Sequence, residues 1–579
     1  MDDAVGLVGS PSTTAKVTVD ILEDATASPL HGSLVFLAHP LEHRCLIALG
    51  TVAEIKTANR WHEDPNMRGV LKRHGSLPHL SGVGDVRTAD VLVQAAYLAE
   101  EADPSVGDPP MEAGGALTMS PTTGAVVGRV TDEFLTQLLR RHSDEIVYLG
   151  RIYRSDVRLP MTLRHFGPAS QGGAGEAYHT GIFGMTGSGK SALATYLLAA
   201  QLRHPALAVI VIDPQGQFTT EEGLPFSLQE WAENQGRRVL ALSISRDLRL
   251  QQDAGLLMDL LEPTRLLRDI LTIRNSENRT SAVAEFARLL RNITSWDEKP
   301  ADDVLRTLLT NLMADAAALT RIYVSAASRQ RLEGAINAIL TDTTEFNLAA
   351  DVFRPLHSLF APTNLAGGHR RSLYSVFDEL LAPGAGARPL AVLDFSGAGL
   401  AEDILESTPV KARILRQVCS TLSRRAEDKY KGGDRLNALV VFDEAHRFAA
   451  EAPEGDEAAA LAAYLVDSVR TTRKYGLGWM FITQEIGSLK RSIYGQLRVR
   501  AFGYGLTAGS ELQRLRESIG EEASLDLYRS FVDPAAIAPS QFPFMITGPV
   551  SPLSFTGAPV FLSVYTDFNE FLSANGWNS

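Results

Sequence analysis

Between Gly184 and Ser191 the chain reads GMTGSGKS, which fits the pattern G-x-x-x-x-G-K-[ST]. No other stretch limits so strongly what the chain can fold into, because the pattern works only on a turn that follows a strand and opens a helix. The flanks meet that demand. YHTGIFG (178–184) reads as an apolar strand, and SALATYLLAAQLRH (191–204) reads as a helix. Gly184, Gly187 and Gly189 let the backbone curl with its amides inward, so that Thr186, Ser188 and Ala192 help to form a nest for phosphate oxygens. The helix that follows adds its positive N-terminal dipole. Lys190 would reach the β- and γ-phosphates of a nucleotide such as ATP, and the Ser191 hydroxyl would ligate Mg²⁺.

A phosphate loop needs carboxylates on a second element to hold the metal and the attacking water. LVVFDEAH (Leu439–His446) is an apolar strand that ends in two of them. Asp443 would hold Mg²⁺ through water, and Glu444 would polarise the hydrolytic water. VIDPQGQF (Val211–Phe218) ends another apolar strand with Asp213, which is expected beside the phosphate-loop strand and facing the same crevice. FITQ (Phe481–Gln484) ends a third strand, where Gln484 can sense the γ-phosphate. Just before it, RTTRKYG (Arg470–Gly476) offers Arg470 and Arg473 as arginine fingers for a neighbouring subunit, with Arg470 slightly favoured.

The texture of the chain frames these motifs. Residues 1–165 read as short strands and turns: KVTVDIL, GSLVFLAH, CLIALGTVAEI, ADVLVQAAYL, TGAVVGRV and EIVYLGRIY. Together they suggest a small β-barrel or sandwich, with Asp103–Gly115 as an exposed loop. Residues 166–246 alternate strand, glycine turn and helix, as expected of a parallel sheet covered on both faces. Between 247 and 384 the strands stop, and apolar residues recur at three- and four-residue spacing, which predicts an inserted helical bundle. The α/β texture resumes over 385–550, and a tail (551–579) ends in FLSVYTDFNEFLSANGW, aromatic enough to dock.

Composition narrows the setting. Cys45 and Cys419 fit neither a disulfide framework nor a zinc pattern. No apolar run approaches the ~18 residues of a membrane span, and the N-terminal MDDAVGLVGS is acidic where a secretion signal would be basic, so the chain reads as cytosolic. The 55 basic and 68 acidic side chains leave a net charge of −13, so any contact with nucleic acid must use a local patch. Candidates are Arg370 with Arg371, Arg424 with Arg425, and Lys490 with Arg491. Only ten residues are lysines, and Lys190 is one of them.

In their order along the chain these motifs resemble the HerA-type ATPases of the HerA/FtsK superfamily. The resemblance rests on HTGIFGMTGSGKS, DPQGQF, the helical insertion, FDEAHR, RTTRKYG and TQ. It implies an α/β fold: a RecA-like P-loop NTPase core with an N-terminal β-barrel and an inserted helical bundle. It also implies a homohexameric ring that hydrolyses ATP between subunits and draws double-stranded DNA through a central pore. The barrel is similar to one that docks a NurA-like nuclease or, in anti-phage defence, an effector such as a sirtuin-like NAD-consuming protein. DNA end processing, repair and defence are all settings for such rings. Gln217 stands where the family usually has an acid, and Thr471 and Thr472 depart from its R-E-G-R-K-Y-G, while Arg470 and Arg473 are retained.

Overall fold

The computed structural model describes residues 4–41, 44–77, 79–100, 111–113, 117–262, 264–364, 366–382, 386–396, 408–536, 540–554 and 557–577. Near the N-terminus, runs rich in Val, Leu and Ala form β1 (Ala4–Val8), β2 (Lys16–Ile21), β3 (Leu34–Leu41), β4 (Arg44–Ala58), β5 (Val86–Glu100), β6 (Met111–Ala113) and β7 (Val126–Arg129). The antiparallel order is β2-β1-β7-β3-β4-β5, and β5 pairs back onto β2. Six strands therefore close into a barrel, which leaves no free edge, while β6 lies outside the ring on β5. β4 and β5 are 15 residues long. Register shifts at Leu49/Gly50 and Val52/Glu54 let them bend around the barrel. Val17, Val19, Leu37, Val91 and Val127 fill the interior. Of the loop expected at Asp103–Gly115, only β6 is described; the remainder lies outside the described residues.

The second sheet has eleven strands. β8 (Ile146–Ile152), β9 (Arg158–Thr162), β10 (Thr180–Phe183), β11 (Ala208–Asp213), β12 (Val239–Ser243), β15 (Leu390–Asp394), β16 (Ala438–Phe442), β17 (Leu477–Thr483), β18 (Val499–Gly503), β19 (Phe542–Thr547) and β20 (Val560–Val564) build it. The order is β12-β15-β11-β16-β17-β10-β18-β19-β20-β8-β9. Pairing is parallel from β12 through β18 and antiparallel beyond. Every residue of β10, β11, β15, β16 and β17 is buried. That is what a parallel sheet covered by helices on both faces requires.

Two expectations change here. EIVYLGRIY was grouped with the barrel, yet β8 and β9 extend the large sheet instead. The tail supplies β20, which pairs with β19 on one side and with β8 on the other through Leu562↔Ile152. Leu149, Ile152 and Met161 then join the same core as Ile182 and Leu193. A strand's own pattern fixes which face is apolar but not which sheet will offer it an edge. The tail also places helix Phe568–Asn575, whose Phe568 ring stacks on Phe226 at 4.0 Å between centroids.

Between β12 and β15 lies the helical insertion. Its longer helices, Ser276–Arg291, Ala301–Ala314, Ala326–Thr341 and Thr343–Ser358, bury Phe286, Leu308, Ile336 and Phe353 against one another. The strands do not stop completely: β13 (Leu248–Arg249) and β14 (Arg371–Ser372) form a two-residue parallel ladder at the base of the insertion. Barrel and core meet where Gln94 Nε2 donates to the Pro559 carbonyl at 2.6 Å and the Tyr97 hydroxyl to that of Pro552 at 2.7 Å.

Candidate active site

Strand β10 delivers the phosphate loop to the carboxyl edge of the parallel sheet, and helix Lys190–Leu202 begins directly after it. Gly189 caps that helix at φ +88°, and a Cβ there would sit 2.4 Å from the Phe542 ring. Gly184 is equally constrained, because a Cβ would fall 2.5 Å from Ser188 Oγ. Ser188 is fully buried, and its hydroxyl finds no protein partner. Gly184 and Ser188 therefore shape the loop from behind. Thr186, Gly187, Gly189, Lys190, Ser191 and Ala192 line a cavity of about 690 Å³ in front of it.

Asp443 and Glu444, at the end of β16, line the same cavity. Glu444 has a left-handed backbone, φ +46°, a conformation that costs a non-glycine residue about 1–3 kcal/mol. Its carboxylate receives Gln484 Nε2 at 3.4 Å, and Gln484 Oε1 accepts from the Thr186 hydroxyl at 3.4 Å. The carboxylate, the amide at the end of β17 and the phosphate loop thus form one chain of contacts. His446 Nδ1 lies 3.2 Å from the other Glu444 oxygen. The Lys190 ammonium folds back onto the Met185 carbonyl at 3.1 Å, a bond that an arriving phosphate can replace.

Charge in the crevice is unbalanced. Burial pushes the Asp443 carboxyl up to about 7, with repulsion from Glu444 and Asp213 adding to the shift and Lys190 opposing it. Burial also lowers the Lys190 pKa, against the pull of Glu444 and Asp443. A divalent cation would relieve the carboxylate repulsion, and Ser191 beside Asp443 offers it oxygen donors. Among the described residues no three His, Cys, Asp or Glu side chains gather as a metal cage.

Asp213 is positioned differently from its expected place. β11 pairs with β15 and β16, and it is β17 and β18 that flank the phosphate-loop strand. The Asp213 carboxylate is fully buried and turned into its own loop. Oδ1 accepts the amides of Gly216 and Gln217 at 2.9 and 3.1 Å, and Oδ2 accepts the amide and hydroxyl of Thr219, both at 2.9 Å. The loop it braces presents Gln217, whose Oε1 receives the Ser191 hydroxyl at 3.0 Å. Asp213 therefore supports the crevice through Gln217 and through its charge on Asp443, without lining the cavity itself.

Arg470 and Arg473 are not brought into this crevice. They precede the amino end of β17, at the opposite edge of the sheet. Both are exposed; Arg473 Nη1 lies 3.5 Å from Glu176, and Arg470 has no ion pair among the described residues. The basic candidates also divide. Arg370 is buried, with its guanidinium donating to the carbonyls of Ser245 and Leu248, and it cannot meet DNA. Arg371 pairs with Glu379 and Arg425 with Asp378, each at 2.5 Å.

Phe542, Tyr565 and Thr566 also line the cavity, and sequence reasoning missed them. They arrive on β19 and just after β20; for Tyr565 and Thr566 the only signal was the aromatic density of the tail, and for Phe542 there was none.

Comparison with known proteins bears on these residues. Residues 177–425 match the family model described as "Helicase HerA, central domain". That span holds the phosphate loop, the Asp213 loop and the insertion. No curated protein matches the chain. Among solved structures, VirB4 of Thermoanaerobacter pseudethanolicus is similar at 14% identity, covering 73% of this chain and 97% of its own, with a TM-score of 0.40. The bacterial conjugative coupling protein TrwB, lacking its first 70 residues, is similar at 12% identity over 76% and 92% of the two chains, TM-score 0.36. The genome packaging NTPase B204 of Sulfolobus turreted icosahedral virus 2 shares 8% identity over 67% and 96%, TM-score 0.28. With a phosphate loop at the edge of a parallel sheet and this match around it, residues 177–425 are similar to the central domain of the HerA helicases.

Proposed function

We propose that the chain assembles as a homohexameric ring that hydrolyses ATP with Mg²⁺ and uses the cycle to move double-stranded DNA. The observation that carries this reading is the meeting of Lys190, Ser191, Asp443, Glu444 and Gln484 around one cavity of about 690 Å³. Lys190 and the loop amides bind the phosphates, and Ala192 sits at the helix start beneath them. Ser191 and Asp443 would hold the Mg²⁺, which would supply positive charge to offset that of the phosphates. Gln217 fixes the rotamer of Ser191, and Asp213 fixes Gln217. Glu444 orients the attacking water and takes its proton, while Gln484, bonded to Glu444 and Thr186, reports the γ-phosphate to β17.

Arg470 and Arg473 act in trans. No route leads from the amino end of β17 to the crevice of the same chain, whereas a neighbour in a ring presents that edge to the next crevice. The barrel docks a nuclease or another effector, in DNA end processing or in anti-phage defence. No helix among the described residues is long and apolar enough to cross a membrane, which favours a ring working on DNA over one built into a membrane channel.

The test is ATP hydrolysis by the full chain, with and without duplex DNA, at low salt, because phosphate contacts weaken steeply with ionic strength. Hydrolysis should rise with DNA. A rate indifferent to DNA, together with no DNA binding, would leave an ATP-bound scaffold for an effector as the function. That alternative also expects Glu444→Gln to keep full biological activity.

A further inference from the structure

A second cavity, of about 610 Å³, opens where the loops after β16 and β17 meet helix Gly509–Ile519. Three guanidinium groups line it, those of Arg491, Arg500 and Arg514. Arg491 and Arg514 form no ion pair among the described residues, although arginines elsewhere in the chain are commonly paired with carboxylates. Arg500 lies over the Tyr494 ring at 4.6 Å, and its buried Nε has no partner. Ala508, at the N-cap of the helix, supplies no side-chain acceptor for the first amides, so the helix dipole adds positive potential. Two carboxylates also line the space. Glu451 is engaged by the Arg491 backbone amide at 2.6 Å, and Glu517 accepts from Gln513 at 3.4 Å.

We infer that this cavity binds a phosphate group, and that its occupancy is passed to Gln484. A planar guanidinium presents forked donors that match phosphate oxygens, and three of them around one cavity, with a buried Nε that no protein acceptor satisfies, form a site fitted to an anion. The connection to the crevice is short. Glu511, on the same helix as Arg514, accepts the backbone amides of Ile486 and Gly487 at 2.6 and 3.0 Å. Those residues lie two and three positions after Gln484. On the other side, Ala450 bridges Leu489, and the Glu451 amide bonds the Ser488 carbonyl at 2.9 Å, which ties the loop after Glu444 to the same wall. A phosphate that draws Arg491 and Arg514 together would shift both loops, and with them the Gln484–Glu444 contact.

The phosphate could belong to a nucleic-acid backbone or to a small phosphate-bearing molecule, and two binding arms separate these. The protein is the full chain in a Lys190→Ala background, which removes phosphate binding at the nucleotide loop. The comparison is with the same chain carrying Arg491→Ala and Arg514→Ala. Arg500→Lys, which keeps the charge but loses the buried fork, guards against misfolding of the double variant. Inorganic phosphate is titrated by calorimetry, and a short DNA duplex by fluorescence anisotropy across a salt series. Loss of phosphate binding with DNA affinity down about tenfold, and the salt slope lower by about two, assigns a nucleic-acid phosphodiester. Loss of phosphate binding with unchanged DNA affinity assigns a small phosphate-bearing ligand. Unchanged binding in both arms, in variants that melt like the parent, overturns the site. The coupling to Gln484 rests on the ATPase reading above. With Lys190 intact, the ratio of DNA-stimulated to DNA-free hydrolysis should fall several-fold in the double variant, and an unchanged ratio overturns the coupling. If DNA fails to stimulate the parent protein, the translocation reading fails, while the phosphate titration still decides the pocket.

Discussion

The two ends of β17 differ in their surroundings. At its carboxyl end Thr483 is buried and Gln484 bonds Glu444 and Thr186, so the strand finishes inside a crevice that its own chain nearly completes. Before its amino end, Arg470 and Arg473 stand exposed with no catalytic partner. Seven residues separate these ends, or about 20 Å of strand. A fully buried strand with Gln484 at one edge and exposed arginines at the other fits the proposal of a machine whose sites lie between subunits. Each nucleotide would then be read by one chain and completed by the next.

The sharpest way to break this picture is at the carboxyl end. Lys190→Ala should abolish measurable hydrolysis and weaken nucleotide binding together. Glu444→Gln should lower kcat by about 10²–10⁴-fold, the range for a lost general base, while still binding a fluorescent ATP analogue. If Glu444→Gln hydrolysed ATP at more than a tenth of the parent rate, another group would have to activate the water.

The amino end carries the next largest effect. Arg470→Ala should reduce hydrolysis by about 10³-fold, in the range of a lost arginine finger, and Arg473→Ala less. Mixing Arg470→Ala with Lys190→Ala subunits should restore part of the activity, because some interfaces then pair an intact loop with an intact arginine. Rings shown to contain both variants, yet inactive at every ratio, would remove the trans assignment and with it the contrast between the two ends.

A smaller effect separates the direct ligands of the crevice from their supports. Gln217→Ala removes the acceptor that holds the Ser191 hydroxyl at 3.0 Å. It should raise the Mg²⁺ concentration needed for half-maximal hydrolysis several-fold with little change in kcat at saturating Mg²⁺. A Mg²⁺ titration that superimposes on the parent curve would show that Ser191 needs no such support.

How much of this was legible beforehand depends on whether the information is local. Gly184–Ser191 and Leu439–Glu444 were readable because each motif carries its own strand, turn and chemistry within about ten residues. The helical insertion was readable from its periodicity, while the apolar runs near the N-terminus read as a barrel or a sandwich, and it is the β2–β5 pairing that makes them a barrel. Strand order was not readable. Nothing in VIDPQGQF says that β17 rather than β11 will lie beside the phosphate loop, because parallel neighbours are chosen by packing across the whole sheet. Phe542 and Tyr565 reach the crevice from more than 300 residues downstream, through antiparallel pairing that no local pattern announces. Arg370 looked like a surface cation, since its carbonyl partners lie more than 120 residues away in sequence.

The mildest test probes how the amino-end corner is held in place. His179, just before β10, has Nε2 at 2.8 Å from the Val469 carbonyl, and its Nδ1 accepts the Trp479 amide at 3.2 Å. This pattern requires a neutral ring, and it pins the end of helix Asp456–Thr471, which carries Arg470, to β17. Burial pulls the His179 pKa down from 6.5 to about 4, with Arg473 adding to the shift. The folded chain therefore binds fewer protons at this site than the unfolded chain between these two values. Stability should be complete above pH 6.5 and fall as the pH drops toward 4, by about 3 kcal/mol for this group alone. Thermal melts of the parent and of His179→Gln at pH 7.5 and pH 5 test this. A glutamine can still donate and accept but cannot titrate, so the variant should lose less stability on acidification. Equal losses would mean that the corner carrying Arg470 is not pH-sensitive through His179, and that the arginine edge is held by the Glu176 contacts instead.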